Sequence, residues 1–428
     1  MGKMRPFKGL LYNAEKIGGD FSGVVAPPYD VIPDRMRDEL YEKSPYNVIR
    51  LILGKTSDSD NDEDNRYTRA AKFFKEWQEE GVLSRNGNEA FYVYLQEYDF
   101  EGKSFSRIGF FGLLKIEDSE DEKVIPHEHT LAKPKEDRLN LIKQVKSNLS
   151  PIFTLFPDTD GSVTEVLKNK AKAEPPIIDI EREDGKHKLW RVADKESIEK
   201  ISKSMENKSV YIADGHHRYA VSKTYRDMRR SEPNYDGSAD YVMVYFTDME
   251  SGDNLAVMAT HRAVKEMPLS GDKEVISKLA DYFATDEFDT LSELTQRLYE
   301  SREDSHIFGY YGGEKFISFK LKDENALQDL INDDRSLSWK QLDVSILHSG
   351  IFRKLLSVKD GEGNLTYVKK AEEAEELVRD KSHKAAFFLN PTKVSQLRAV
   401  TEHGEMMPQK STYFYPKLLT GLVINKFD

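Results

Sequence analysis

The residues best suited to chemistry lie in Ser209-Val210-Tyr211-Ile212-Ala213-Asp214-Gly215-His216-His217-Arg218-Tyr219-Ala220. A β-branched run meets an Asp-Gly turn, and a helical pattern follows at once. A strand, a tight glycine turn and a helix N-terminus together make an anion site: free backbone N–H groups converge there and the helix dipole favours negative charge. Gly215 lets the backbone approach a ligand closely. Arg218 can grip phosphate oxygens with two N–H groups, and His216 or His217 can donate another bond. The competing interpretation is a structural turn whose arginine pairs with a nearby carboxylate.

A second constellation is His127-Glu128-His129-Thr130, followed by Lys133, Lys135, Asp137, Arg138 and Lys143. On an extended segment, His127 and His129 present both imidazoles to one face, a spacing that fits a metal, though no third ligand is identifiable. Glu128 is a candidate general base. A third cluster, Gly404 to Lys417, contains Lys410-Ser411-Thr412 between prolines but lacks the glycine framing of a phosphate loop. It reads as an aromatic tail packed on the core.

These groups need elements to hold them. Strands are expected at Val48–Leu53, Ala90–Glu97, Ser106–Leu114, Pro151–Phe156 and Ser209–Ala213, with a turn near Glu101-Gly102. Helices are expected at Arg35–Lys43, Tyr67–Glu80, Lys135–Asn148 and His217–Arg230. Tyr241–Phe246 and Leu255–Thr260 suggest a hairpin around Ser251-Gly252-Asp253. Farther on, helices are expected at Lys273–Phe283, Thr290–Ser301, Trp339–Leu356, Lys370–Asp380 and Val394–Glu402. Strands are expected there at His306–Tyr311, Lys315–Lys320 and Ala385–Leu389. This is a mixed α/β (α+β) pattern with a boundary near Glu266–Asp272. It divides the chain into residues 1–268, which form the larger core, and 269–428, a second, smaller α/β domain whose tail (404–428) packs back on the core.

The chain has 428 residues, 75 acidic and 63 basic side chains, a net charge of −12 and no cysteine. The missing cysteine excludes disulfides, thiolate nucleophiles and zinc ribbons. The acidic balance argues against duplex nucleic acid, which needs clustered cations. No apolar run is long enough for a membrane span, and no signal peptide is evident at Met1–Lys16, so a cytoplasmic location is expected.

Arg5-Pro6-Phe7, Ala26-Pro27-Pro28-Tyr29-Asp30-Val31, the His-Glu-x-Thr at 127–130, Pro134-Lys135-x-Asp137-Arg138, Asn148-Leu149-Ser150-Pro151 and Ala213–Tyr219 occur in order. With Thr260-His261-Arg262, Leu342-Asp343-Val344, Asn390-Pro391-Thr392 and Pro408–Lys417, they resemble the DUF1015 family along nearly the whole chain. The Asp-Gly-His-His-Arg turn is similar to the ParB/sulfiredoxin-like superfamily, whose members include free serine kinases that hold ATP or ADP phosphates on such a turn. Sulfiredoxin chemistry needs a cysteine where this chain has His216.

That second resemblance implies a ParB-like core and a small-molecule kinase transferring phosphate to a serine-like hydroxyl compound. Gly215, His216, His217 and Arg218 would then cradle ATP or ADP, with Lys135, Arg138 and Thr130 nearby. Asp214 would hold Mg²⁺, through water, and Glu128 would take the hydroxyl proton, with Asp30 the competing base. Two alternatives stay open: a non-catalytic nucleotide-binding regulator, and a metal-dependent phosphohydrolase using His127, His129, His216 and His217. The acceptor and the oligomeric state are not legible.

Overall fold

The computed structural model describes residues 3–85, 87–118, 123–130, 132–252, 254–269, 271–359, 361 and 363–427; of Lys133 it describes the backbone alone. The chain divides into two units. One comprises Met1–Ala256 with Pro416–Asp428, and the other Val257–Tyr415. The division thus falls before the expected boundary at Glu266–Asp272, and only the last part of the tail joins the first unit.

The first unit is built on one sheet. Its strands are β1 (Met4–Arg5), β2 (Phe91–Phe100), β3 (Lys103–Lys115), β4 (Val124–Ile125), β5 (Ile152–Phe156), β6 (Ile178–Arg182), β7 (Gly185–Val192), β8 (Val210–Asp214) and β9 (Tyr241–Asp248). They run in the order β4-β8-β5-β9-β3-β2-β7-β6, with β1 also on β3. The β4–β8 and β5–β9 pairs are parallel and the rest antiparallel. The β2–β3 hairpin turns at Glu101 and Gly102, both at positive φ (49° and 73°), as the Glu-Gly pair suggested.

Helices are α1 (Asp34–Lys43), α2 (Ile49–Ile52), α3 (Arg66–Glu79), α4 (Ala132–Val145), α5 (Ser162–Ala173), α6 (Lys195–Met205) and α7 (His216–Arg230). Val163 and Leu167 of α5 and Ile201 of α6 bury against Phe110, Val244 and Phe246 of the sheet. Ile142 of α4 meets Val221 and Tyr225 of α7 in a separate cluster. Asn65 caps α3, its Oδ1 accepting from the N–H groups of Tyr67 (2.9 Å) and Thr68 (3.2 Å), while Thr68 closes a capping box. Asn65→Ala is expected to cost about 1 kcal/mol, read from a denaturant midpoint at unchanged slope.

Two expectations for this unit are corrected. Val48–Leu53 is not a strand but contains the short helix α2. Asn47 turns the chain there: its Oδ1 accepts from Ile49 N–H (2.9 Å), and its Nδ2 donates to Gly23 O (2.7 Å) and Val25 O (3.2 Å). Val48, Ile49, Leu51 and Ile52 are all buried, and a run that is apolar all round does not distinguish helix from strand. The hairpin of Tyr241–Phe246 with Leu255–Thr260 does not form either. Both edges of β9 are taken by β3 and β5, and Asp253 of its supposed turn lies outside the described residues. At the end of α4, Lys146 takes a positive φ of 48°. Ser147–Asn148 then leaves the helix to pair with Asn425–Lys426 of the C-terminal segment.

The second unit holds an antiparallel sheet of β10 (His261–Val264), β11 (Phe283–Phe288), β12 (Ile307–Tyr311), β13 (Phe316–Leu321), β14 (Leu365–Val368) and β15 (Ala385–Phe388), ordered β11-β13-β12-β15-β10-β14. Helices Leu291–Ser301 and Ala371–Arg379 bury Leu294, Leu298, Ala374 and Val378 against it. The helix expected over Lys273–Phe283 stops at Leu279, and Phe283 begins β11. The one expected over Trp339–Leu356 is broken into Leu337–Lys340, Asp343–Ser345 and a π-helical stretch, Ile346–Leu355.

Candidate functional site

The turn after β8 is shaped before any ligand arrives. The register slips between Ile212 and Asp214, a bulge that re-aims the strand end. Gly215 follows at φ 95° and ψ 27° and caps α7 without a side-chain bond. A Cβ at this position would stand 3.0 Å from Nε, Cζ and Nη2 of Arg218, so the missing side chain is what lets the guanidinium fold back over the turn. Arg218 Nη2 bonds Asp214 Oδ2 (2.5 Å), and Nη1 bonds the carbonyl of Pro151.

The second cation on Asp214 comes from the far end of the chain. Lys417 Nζ lies 2.7 Å from Asp214 Oδ1, with only about a tenth of its side chain exposed. Two core polar residues hold Lys417 there: Arg107 on β3 bonds Pro416 O, and Gln96 on β2 donates to Lys417 O (3.3 Å). Burial pushes the Asp214 carboxyl up, but Lys417 and Arg218 outweigh it and hold the group well below the usual carboxylate range. Sequence reasoning missed Lys417 as a site residue; its place at the end of the Pro408–Lys417 motif was the available signal.

The histidines are brought together by parallel pairing. Val124 and Ile125 of β4 run beside Val210 and Tyr211, so the chain beyond them passes Ile212. His127 Nδ1 sits 2.7 Å from Ile212 O, and the His127 backbone N–H donates to His216 Nε2 (3.2 Å). The two rings meet edge to face at 4.5 Å. With Nε2 accepting, neutral His216 carries its proton on Nδ1, which has no partner among the described residues although the residue is only 9% exposed. Burial, then the neighbouring His127, lowers the His216 pKa well below 6.5; burial lowers that of His127 also.

A buried neutral histidine has a pH signature. Below about 6.5 the unfolded chain takes up protons that the folded chain refuses, so stability falls as pH drops from 7 toward 5. His216→Gln is expected to flatten that slope, measured as melting temperature against pH.

A second charge group lies around α4. Asp137 accepts from Tyr67 Oη (2.7 Å) and Arg138 Nε (2.6 Å) and pairs with Arg66. Arg138 also donates to Ile52 O (2.8 Å), and its guanidinium stacks 3.9 Å from the centre of the Tyr29 ring. Each group therefore has two cations around one carboxylate: Arg218 and Lys417 on Asp214, Arg66 and Arg138 on Asp137. Tyr29, Arg138 and Arg218 line one cleft.

The remaining expected residues distribute as follows. Asp30 is exposed beside Tyr29, Glu128 is half-buried and acts electrostatically on His127, and His217 and Thr130 are half-buried. Lys135 is half-buried one helical turn before Arg138. His127 is fully buried and His129 exposed, so the two do not share a face. Among the described residues no three His, Asp or Glu side chains are grouped to hold a metal. Both oxygens of Asp214 are engaged by cations, Oδ2 by Arg218 and Oδ1 by Lys417. Arg262 in the second unit is wholly buried on His348 Nε2 (3.3 Å), Lys410 O (3.1 Å) and Thr260 O, a structural arrangement.

The family described as a protein of unknown function, DUF1015, matches residues 4–345. No curated protein matches the sequence. A solved structure of a free serine kinase variant in complex with ADP is similar at TM-score 0.36 and 14% identity, covering 74% of this chain and 92% of its own. Free serine kinase in complex with AMP is similar at TM-score 0.34 and 14% identity, covering 74% and 91%. C-terminally truncated SbnI from Staphylococcus aureus is similar at 0.36 and 12%, covering 72% and 85%. No helix among the described residues is long and apolar enough to cross a membrane.

Proposed function

We propose that this chain, which belongs to the DUF1015 family, binds a nucleotide by its phosphates at the Asp214–Arg218 turn and transfers a phosphoryl group to a small hydroxyl compound. The observation that carries this reading is the uncapped α7 N-terminus, where the nine-tenths-buried His216 keeps an unpartnered Nδ1–H. The amides of His216 to Arg218, that N–H and the Arg218 guanidinium are the donors a terminal phosphate needs. A neutral His216 donates without adding a buried charge.

Phosphoryl transfer asks chiefly for positioning and charge neutralisation. The acceptor oxygen attacks the terminal phosphorus, and the bond to the bridging oxygen breaks. ATP leaves as ADP, or ADP as AMP. The hydroxyl proton passes to a carboxylate, for which Glu128 and the exposed Asp30 are the candidates. Mg²⁺ would arrive with the phosphates.

Millimolar ATP or ADP is expected to raise the melting temperature by several degrees, and Arg218→Ala to weaken binding at least tenfold. A wild-type melting temperature indifferent to both nucleotides would overturn the proposal. Phosphorylated product from a pool of hydroxy acids and amino acids separates a kinase from a non-catalytic nucleotide binder, which would be stabilised without turnover.

A further inference from the structure

Resting on the site just proposed, we infer that its cleft takes the acceptor as a small organic acid with a short aliphatic chain, the anionic head at Arg138 and the chain in an apolar cavity between α4 and α7. The cavity is about 60 Å³, and its aliphatic wall includes Ile142, Val145, Val221 and Val242.

Several of the polar groups that line it already have partners. Ser147 Oγ donates to Val145 O (2.9 Å), and Ser222 Oγ to Arg218 O (2.9 Å). Asn148 Oδ1 accepts from Met243 N–H (3.1 Å) and Asn425 Nδ2 (3.0 Å). The interior thus rewards carbon and offers little to a second polar group. A cavity of about 150 Å³ holds benzene, so about 60 Å³ admits two to three carbons and excludes a purine.

The head is specified separately. Arg138 uses Nε and one N–H of each terminal nitrogen on Asp137 and Ile52 O, with Tyr29 covering one face. One N–H on each terminal nitrogen has no partner among the described residues and remains to donate to an anion. Arg66 and Arg138 share one aspartate, so a bound anion completes the charge balance of the group.

The test is titration of the full chain with isobutyrate and acetate at equal ionic strength, followed by calorimetry and thermal shift, with ADP in parallel. Isobutyrate is expected to bind about fifteenfold tighter than acetate, since each of its two extra buried carbons is worth about fourfold. Arg138→Met should abolish binding of both acids. Val221→Phe should remove the preference for isobutyrate, and Val221→Ala should shift it to 4-methylpentanoate. Equal affinity for isobutyrate and acetate, or an unchanged order of preference in Val221→Ala, overturns the inference. ADP binding without isobutyrate binding removes the acid site and leaves the nucleotide site. Isobutyrate binding without ADP binding does the reverse. The alanine variant keeps the test decisive should Val221→Phe fail to fold.

Discussion

Gly215→Val is expected to abolish ADP-induced stabilisation and to lower the stability of the protein itself by about 2 kcal/mol. Two independent causes act at one position. The native φ of 95° lies in the left-handed region, which costs a β-branched residue more than any other. The new Cβ would also stand 3.0 Å from the Arg218 guanidinium, which must move. Arg218 cannot swing away cheaply, because its two ends are tied to Asp214 and Pro151 O. A differential scan with and without ADP separates the two effects. Gly215→Ala is expected to lie between wild type and valine in both. Undiminished ADP binding in the valine variant would show that the turn is not the phosphate site.

Asp214→Asn is expected to cost about 3 kcal/mol, because it leaves Arg218 and Lys417 close together without their shared carboxylate. Lys417→Met removes one of two cations from a group that keeps its other, and is expected to cost less. The lysine variant should nonetheless weaken nucleotide binding, since one of the two cations on Asp214 disappears with Lys417. Acid titration distinguishes the two variants further. The folded pKa of Asp214 is depressed, so its contribution is fully present above its unfolded pKa of about 3.9 and is lost as pH falls through the folded value. Asp214→Asn should therefore flatten stability below about pH 4, while the histidine-dependent slope between pH 7 and 5 persists. Urea denaturation at pH 3, 4, 5 and 7 reads both slopes. An acid limb identical in wild type and Asp214→Asn would show that folding does not depress the pKa of this carboxylate.

The legibility of the chain follows the range of the interactions. The strand–turn–helix at 209–230, the β2–β3 hairpin and the helices α1 and α3 are readable because strand alternation, Asp-Gly and Glu-Gly turns and helical spacing act over a few residues. Val48–Leu53 was misread because a segment buried on all sides has no periodicity to betray its geometry. The Trp339–Leu356 run was read as one helix, since nothing local marks where its hydrogen bonding changes.

The site shows the same division. Asp214, Gly215, His216 and Arg218 are neighbours in sequence, so their chemistry could be named before any fold was known. A second cation on Asp214 is not a local property. It needs Lys417, about 200 positions away, carried in by the bonds of Arg107 and Gln96 to the backbone of Pro416 and Lys417. Likewise His127 and His129, alike in type and two apart, end with one buried and one exposed, because parallel pairing of β4 with β8 turns only the first toward Ile212 and His216. Residue types and short spacings set which groups can bind an anion. Long-range strand pairing and burial decided which of them are charged, which are neutral, and which distant groups join them.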